Sequence, residues 1–539
     1  MIKKLFITLV FVCSLTNISN SQTSLIKVRI NDFSGGMVSN SIPDLIDINQ
    51  AASMLNVDLD KFGKLTKRKG NDIFLPDVGD NFLRGIGRFD PDISTSYIVI
   101  ASDTSIARAQ VSDTFWTIAN PTSPLTSAKD TSFVQANDLL FVLNGFDLTS
   151  WYTGSSWIES NGQAQASPPI AKTGAWLRNY LFLAGGTSEP DWVYFSNNLD
   201  PTIFTVTDII KINTGDGQAI SKLLQYRLNE LIIYKQRSIF VLDITGATPL
   251  TDWTVQPIST VIGTDSPRSV VSLGNDHWFL SSEPIAIRSL VRTEFDKILV
   301  DYISGPIQDI FDGTNESGFN LNKSFVSEAA AVLFDNKYIL AIPSGTSTYN
   351  DLVIVYDFAR KAWYLITGWY PDDWVVSGNS LYYADATDGR VIQAFTETNA
   401  DFIQGPGVAD SASDPTVGIN FQYVSKSLDF DNPENFKRAD ALEVEFYPTG
   451  NYESTVYINL DGEGWASIGS VNLAGQSLTL PVTLPTTLGN AGLARKTFHT
   501  QSLGEFKKMQ VRVENGASQQ DVELQRITTF GDMKQWRRE

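Results

Sequence analysis

The chain has 539 residues and a net charge of −19, and 42% of it is hydrophobic against 19% charged, which excludes a disordered chain and supports large buried cores. One Cys and two His exclude a zinc site of Cys/His type and a disulfide framework. The acidic balance argues against a protein that coats nucleic acid over its whole surface.

Residues 1–21 read as a secretory signal. Lys3 and Lys4 are basic, residues 5–15 are an apolar run, and Ser19 and Ser21 precede Gln22. The alternative is an upstream extension. The only Cys, Cys13, lies in this segment. The apolar run is too short to span a bilayer, and no other stretch approaches ~18 apolar residues, so no membrane span is expected.

Within residues 22–75, a short helix is predicted over 47–55. Asp47 can cap it, Gln50 stands where a capping box needs it, and Ile48, Ala51, Ala52 and Leu55 share a face. A second helical turn is predicted at 307–311, after Ser304. The rest reads as short strands rich in Val, Ile, Phe, Tyr and Thr, punctuated by Gly, Asn, Asp and Pro.

A turn Asn followed by an apolar run recurs at 137–143, 179–184, 229–235, 275–281, 336–342 and 379–384, with Asn-to-Asn intervals of 42, 50, 46, 61 and 43 residues. A related strand lies at 97–101. Strand-only units at such a period predict a β-propeller of six or seven blades over 76–402. Ten of the twelve Trp fall between Trp116 and Trp374, where packing between blades would use them. The longest interval holds extra polar sequence at 312–325, a functional insertion or a long surface loop. Residues 403–418 read as a linker. Alternating strands at 421–430, 441–448, 454–461, 477–484, 507–515 and 522–530 then predict a C-terminal β-sandwich, jelly-roll-like, over 419–539. The expected fold class is therefore all-β, a propeller followed by a sandwich.

No constellation assigns chemistry. His277 sits in a strand run beside Trp278 and reads as structural or interfacial, while His499 belongs to the other domain, so no Ser-His-Asp set is supported. Asp58 and Asp60 begin like a calcium loop but lack its later ligands. Asp90, Asp92, Asp372 and Asp373 are among many carboxylates that spacing cannot pair across blades. Gly35-Gly36 lacks a phosphate-loop context. Catalytic, cofactor-binding and metal residues are therefore none, no cofactor is expected, and the chain reads as no enzyme. Charge is uneven: residues 76–500 hold 25 basic and 48 acidic side chains, a net −23, between nearly neutral ends. The basic clusters Lys67-Arg68-Lys69, Lys507-Lys508 and Arg537-Arg538 read as solvated edges or interface rims.

The block at 31–70 carries Asp32, Phe33, Gly35 and Gly36; then Asn49, Gln50 and Ala51; then Asn56, Val57 and Asp58; then Gly63, Leu65, Arg68 and Gly70. It resembles the N-terminal segment of tailed-phage β-propeller virion proteins, the tail nozzle (tail tubular) and packaged-DNA stabilisation proteins. Segments 237–244, 266–281, 286–291, 350–363 and 426–446 look familial too. The resemblance implies a structural virion protein of a phage or prophage tail. Its copies would form a homo-oligomeric ring with neighbouring tail and adaptor proteins, around a channel that genomic DNA crosses during ejection without specific binding. Part of the −23 would then face that channel and keep DNA from sticking. The alternative, favoured by residues 1–21, is a secreted or cell-surface bacterial propeller that binds carbohydrate or protein. A propeller glycosidase is a third reading, for which no acid/base pair can be named.

Overall fold

The computed structural model describes residues 25–59, 63–75, 82–92, 94–121, 123–161, 166–246, 248–292, 297–402, 416–474 and 492–533. Residues 1–21, the strand expected at 477–484, Arg537-Arg538 and most of the 403–418 linker lie outside them. No helix among the described residues is long and apolar enough to cross a membrane.

Seven four-stranded antiparallel units follow one another, so the propeller has seven blades. Their innermost strands are Leu83–Phe89, Ser132–Ala136, Thr173–Leu177, Ile220–Arg227, Val271–Ser272, Ala330–Phe334 and Pro371–Ser377. These touch in that order, and the seventh meets the first. Each apolar run singled out in the sequence forms the second strand of its blade, from Tyr97–Ser102 in blade 1 to Ser380–Asp385 in blade 7. The hairpin turns explain the recurring Asn. Arg178 and Asn179 have φ of 47° and 64°, and Asp335 and Asn336 have 46° and 57°. Two successive left-handed residues make the primed turn that matches strand twist, and Asn tolerates it.

Neighbouring blades bury apolar faces against one another in separate clusters. Blades 1 and 2 share Phe89, Leu140 and Tyr152. Blades 3 and 4 share Phe182, Phe195, Leu223 and Trp253. Full burial of each such side chain stabilises by roughly 1.5–3 kcal/mol. Blades 5, 6 and 7 join a larger cluster that runs on into the rest of the chain.

The expected N-terminal domain boundary is corrected. We label its strands β1 (Leu25–Ile30), β2 (Ala51–Leu55), β3 (Val57–Leu59), β4 (Leu65–Lys67) and β5 (Gly70–Leu75). β5 is the fourth strand of blade 7, paired with Val391–Thr396. The propeller thus begins at Gly70 rather than residue 76, and hydrogen bonds between distant parts of the chain close its ring.

The helix expected at 47–55 is a turn followed by strand β2. The capping geometry does form, with the Asp47 N–H donating to Gln50 Oε1 at 2.8 Å. From Ala51 onward, however, the backbone pairs with Phe421–Ser425 on one side and with Ala362–Thr367 of blade 6 on the other. Tertiary pairing overrides a local helical pattern that one turn cannot sustain. The short helix predicted near 307–311 is present as Gln308–Asp312, preceded by a 3-10 turn at Gly305–Ile307.

Through β2, blade 6 continues into one nine-stranded sheet that ends with Phe421–Ser425, Met509–Asn515, Glu453–Leu460 and Trp465–Asn472. A second sheet runs β3, β4, Glu523–Met533, Lys437–Phe446 and Ala494–His499, with β1 also on Glu523–Met533. Leu442, Val444 and Ile527 of one sheet and Val456, Ile458 and Val511 of the other lie in the same hydrophobic cluster. The sheets beyond residue 419 are therefore not built from that segment alone. β1 to β4 complete them.

Candidate functional site

Polar side chains from distant parts of the described chain meet at the propeller axis, at the junction at Arg68, and in a cavity beside that junction.

At the axis, Arg268 immediately precedes blade 5. Its guanidinium lies 2.7 Å from Asp372 of blade 7, 3.1 Å from Glu328, just before blade 6, and 3.9 Å from Asp130, just before blade 2. One side chain that reaches blades 2, 6 and 7 from blade 5 must cross the axis. Lys222 of blade 4 and Asp373 of blade 7 interact electrostatically beside it. Burial pushes the Asp372 carboxyl up to about 7 against the pull of Arg268, and Asp130, Asp373 and Glu328 push the same way. Burial raises Asp373 as well and lowers Lys222. The axis at this level is bridged by an ion cluster rather than left as an open bore. Of the four carboxylates named from the sequence, Asp372 and Asp373 belong to this cluster. Asp90 instead pairs with Arg88 at 2.9 Å, and Asp92 accepts from Ser94.

At the junction, Arg68 is fully buried and holds four parts of the chain together. Its terminal nitrogens donate to both oxygens of Asp401, one at 2.8 Å, and to the Thr367 carbonyl at 3.0 Å. Nε donates to Asn56 Oδ1 at 2.9 Å. The guanidinium stacks 4.6 Å from the Trp369 ring, whose Nε1 donates to Asp401. Asn56, at φ 54°, extends the network by donating to the Asn420 carbonyl. A planar fork suits this paired, stacked arrangement, and Lys could not reproduce it.

The cluster Lys67-Arg68-Lys69 is thus not a solvated edge. Lys67 is buried too, donating to Asn515 Oδ1 at 2.9 Å and the Ala517 carbonyl at 3.1 Å. Burial, with Arg68 beside it, lowers its ammonium to about 8. In the other described basic cluster, Lys508 pairs with Asp44.

Gly36, Gly70, Phe33 and Asp58 of the 31–70 motif pack against or pair with other parts of the chain. A Cβ on Gly36, at φ 70°, would meet Ala362 Cβ at 2.6 Å, and one on Gly70 would lie 1.9 Å from the Ala400 carbonyl. The Phe33 N–H donates to the Gly63 carbonyl at 2.9 Å, and its ring meets Tyr423 edge-on. Asp58 pairs with Lys337 at 3.2 Å.

The cavity beside the junction has a volume of about 750 Å³ and is lined by Asn40, Asn315, Gln422, Trp465, Gln510 and Arg512, among others. The Arg512 guanidinium lies 4.4 Å from the Tyr457 ring and 4.7 Å from the Trp465 ring. The extra sequence at 312–325 supplies one wall. Within it Asn315 donates to buried Asp309, whose other oxygen accepts from Ser39. That insertion ties the connection between blades 5 and 6 to the N-terminal segment.

His277 is buried between blades 4 and 5. Its Nε2 faces the Gln225 carbonyl at 2.9 Å, so that nitrogen carries the proton, and Nδ1 accepts from the Tyr234 hydroxyl at 3.0 Å. Burial lowers the imidazole to about 4. The folded state holds it neutral, so its contribution to stability is lost as pH falls from 6.5 towards 4. That loss is on the order of 3 kcal/mol. Urea midpoints measured from pH 7 to pH 4 should fall less steeply in His277→Gln than in the parent chain. His499 is exposed in the second sheet, and nothing brings it to His277. No group of three or more His, Cys, Asp or Glu placed to hold a metal occurs among the described residues.

Arg68 stands within the sequence motif, whereas its partners Asp401 and Trp369 carry no sequence signal. Arg268 lies in the familial segment 266–281, but no pattern there marks it.

No family model matches the chain, and no curated protein matches it. Solved structures do. The Pan2 WD40 domain of Neurospora crassa is 11% identical, with 62% of this chain and 98% of that chain covered at a TM-score of 0.37. YCF48 from Cyanidioschyzon merolae is 12% identical, covering 60% and 98%, at 0.38. An exo-β-1,3-galactanase from Phanerochaete chrysosporium is 9% identical, covering 65% and 92%, at 0.26. The likeness is one of fold, and the seven blades stand on the sheets of this chain itself.

Proposed function

We propose that this chain is a non-catalytic structural protein of a tailed-phage or prophage tail, whose copies form a ring around the passage for DNA. The observation that carries the reading is the block at 31–70. Its residues resemble the virion family, and Gly36, Asn56, Arg68 and Gly70 lock propeller and C-terminal sheets into one stiff body. Closely packed blades resist deformation, which suits a load-bearing part. The ion cluster around Arg268 bridges the propeller axis, so the DNA passage would be bounded by several copies rather than bored through one. Acidic side chains from the net −23 of residues 76–500 would face that passage and repel phosphate. Mass spectrometry of purified phage particles tests the assignment. The chain should be present at a fixed ratio to the other tail proteins, and its absence from particles would overturn the reading. Residues 1–21 favour the other reading, a secreted or cell-surface binding propeller. That reading predicts a mature N-terminus at Gln22 in the exported fraction.

A further inference from the structure

Among the exposed apolar side chains of the described residues, two groups sit on separate parts of the fold. One is the loop at 42–48. Its base is pinned: the Asn40 N–H donates to the Pro306 carbonyl, the Ser427 N–H donates to the Pro43 carbonyl, and Ile46 is buried. From that fixed base Ile42, Leu45 and Ile48 face outward, with Leu45 77% exposed. The loop also carries exposed Asp47.

The second patch is on the hairpin-turn face of blades 3 and 4. Leu199, Leu228 and Leu250 are exposed there, Leu228 by 75%. Hydrogen bonds tie the turns that carry Leu199 and Leu228 together: Leu199 N–H to the Asn179 carbonyl, Arg178 to the Ile244 carbonyl, and Ile244 N–H to the Asn229 carbonyl beside Leu228, while Leu250 lies in the turn between Ile239–Asp243 and Thr254–Ser259 at the same end of blade 4. Leu199 and Leu250 have φ of 67° and 62°. Solvent-facing turns use Gly or Asn at such angles, and a branched apolar side chain there costs stability and gains nothing from water. Exposed Arg227 stands beside Leu228, and exposed Arg178 stands beside Asn179, the partner of Leu199.

We propose that the 42–48 loop of one copy seats on the Leu199–Leu228–Leu250 face of a second copy, with Asp47 directed to Arg178 and Arg227. This rests on the ring reading above and identifies the surfaces that make the ring. The two patches lie beside different blades, the loop next to blades 5 and 6 and the leucines on blades 3 and 4. A contact between unlike patches is head-to-tail, and such contacts close as rings when the rotation allows. Apolar side chains gathered on an otherwise acidic surface mark an interface, and opposite charge at the rim sets register.

The test uses the full chain with Cys13→Ser, so that only introduced thiols react. Leu45→Cys and Leu228→Cys chains are mixed and oxidised, and the double variant is oxidised alone. The expected result is a covalent dimer from the mixture, and from the double variant a ladder that stops at one copy number. Leu45→Cys mixed with Ile158→Cys, an exposed site on blade 2, should give at least tenfold less dimer. An oligomeric chain without the Leu45–Leu228 cross-link overturns this pairing and leaves the ring reading standing. A chain that is monomeric at every concentration overturns both. In addition, Leu45→Asp should weaken assembly at least tenfold with the unfolding temperature unchanged, and unweakened assembly would contradict the proposal.

Discussion

Replacing Arg68 by methionine is expected to destabilise the protein by about 3–5 kcal/mol, because it leaves Asp401 as an uncompensated buried carboxylate. Both side chains of the pair are almost wholly inaccessible, at 1% and 3% exposure, so solvent screening does not soften the loss. The change also strips Asn56 Oδ1 and the Thr367 carbonyl of a donor. Arg68→Lys should recover little, since an ammonium cannot serve Asp401, Asn56 and Thr367 while stacking on Trp369. Pairing Arg68→Met with Asp401→Asn should restore part of the loss, because the stranded charge is then gone. Urea unfolding of the four chains reads these differences directly. A shift under 1 kcal/mol for Arg68→Met would mean that the junction is not held by this network.

Arg268→Met is the second large effect, again about 3–5 kcal/mol at pH 8. Four carboxylates would then face one another across the axis, with Lys222 beside Asp373. The effect should depend on pH. The folded-state value of Asp372 is raised to about 7, so folding favours its protonated form, and its contribution to stability falls as pH rises from about 4 to 7. At pH 5 the cluster can take up protons to offset the missing guanidinium. The penalty for Arg268→Met should therefore be smaller at pH 5 than at pH 8. Equal penalties at the two values would show that the carboxylates do not share one electrostatic site.

The propeller was legible because its signal is repetitive and local. Each Asn-led apolar run, such as 179–184 or 336–342, combines a left-handed turn residue with side chains that must be covered on both faces. The blade count could not be fixed beyond six or seven, because blade 7 takes its last strand from Gly70–Leu75, some 300 residues from its other three. No local pattern carries that pairing. The 47–55 segment misled for a related reason. Ala51, Ala52 and Leu55 fit a helical face, but the sheet edges of Phe421–Ser425 and blade 6 claim the backbone.

The candidate site was legible only as residue types. Arg68 stood inside a motif and inside a basic triplet, and the triplet suggested exposure. Its burial depends on Asp401, 333 positions away, which no spacing rule could supply. Arg268 and Asp372 likewise meet only because blades 5 and 7 converge at the axis. The conformational cost at Leu199 and Leu250 is a backbone property, invisible until φ is known.

The subunit proposed above is a stiff, two-part body that assembles with its own copies. Native mass spectrometry of the full-length chain across a range of concentrations tests that claim most directly. The expected result is a single closed oligomer of one copy number, persisting on dilution and lost in Leu45→Asp. A monomer at all concentrations, or an open series of sizes with no preferred number, would contradict it.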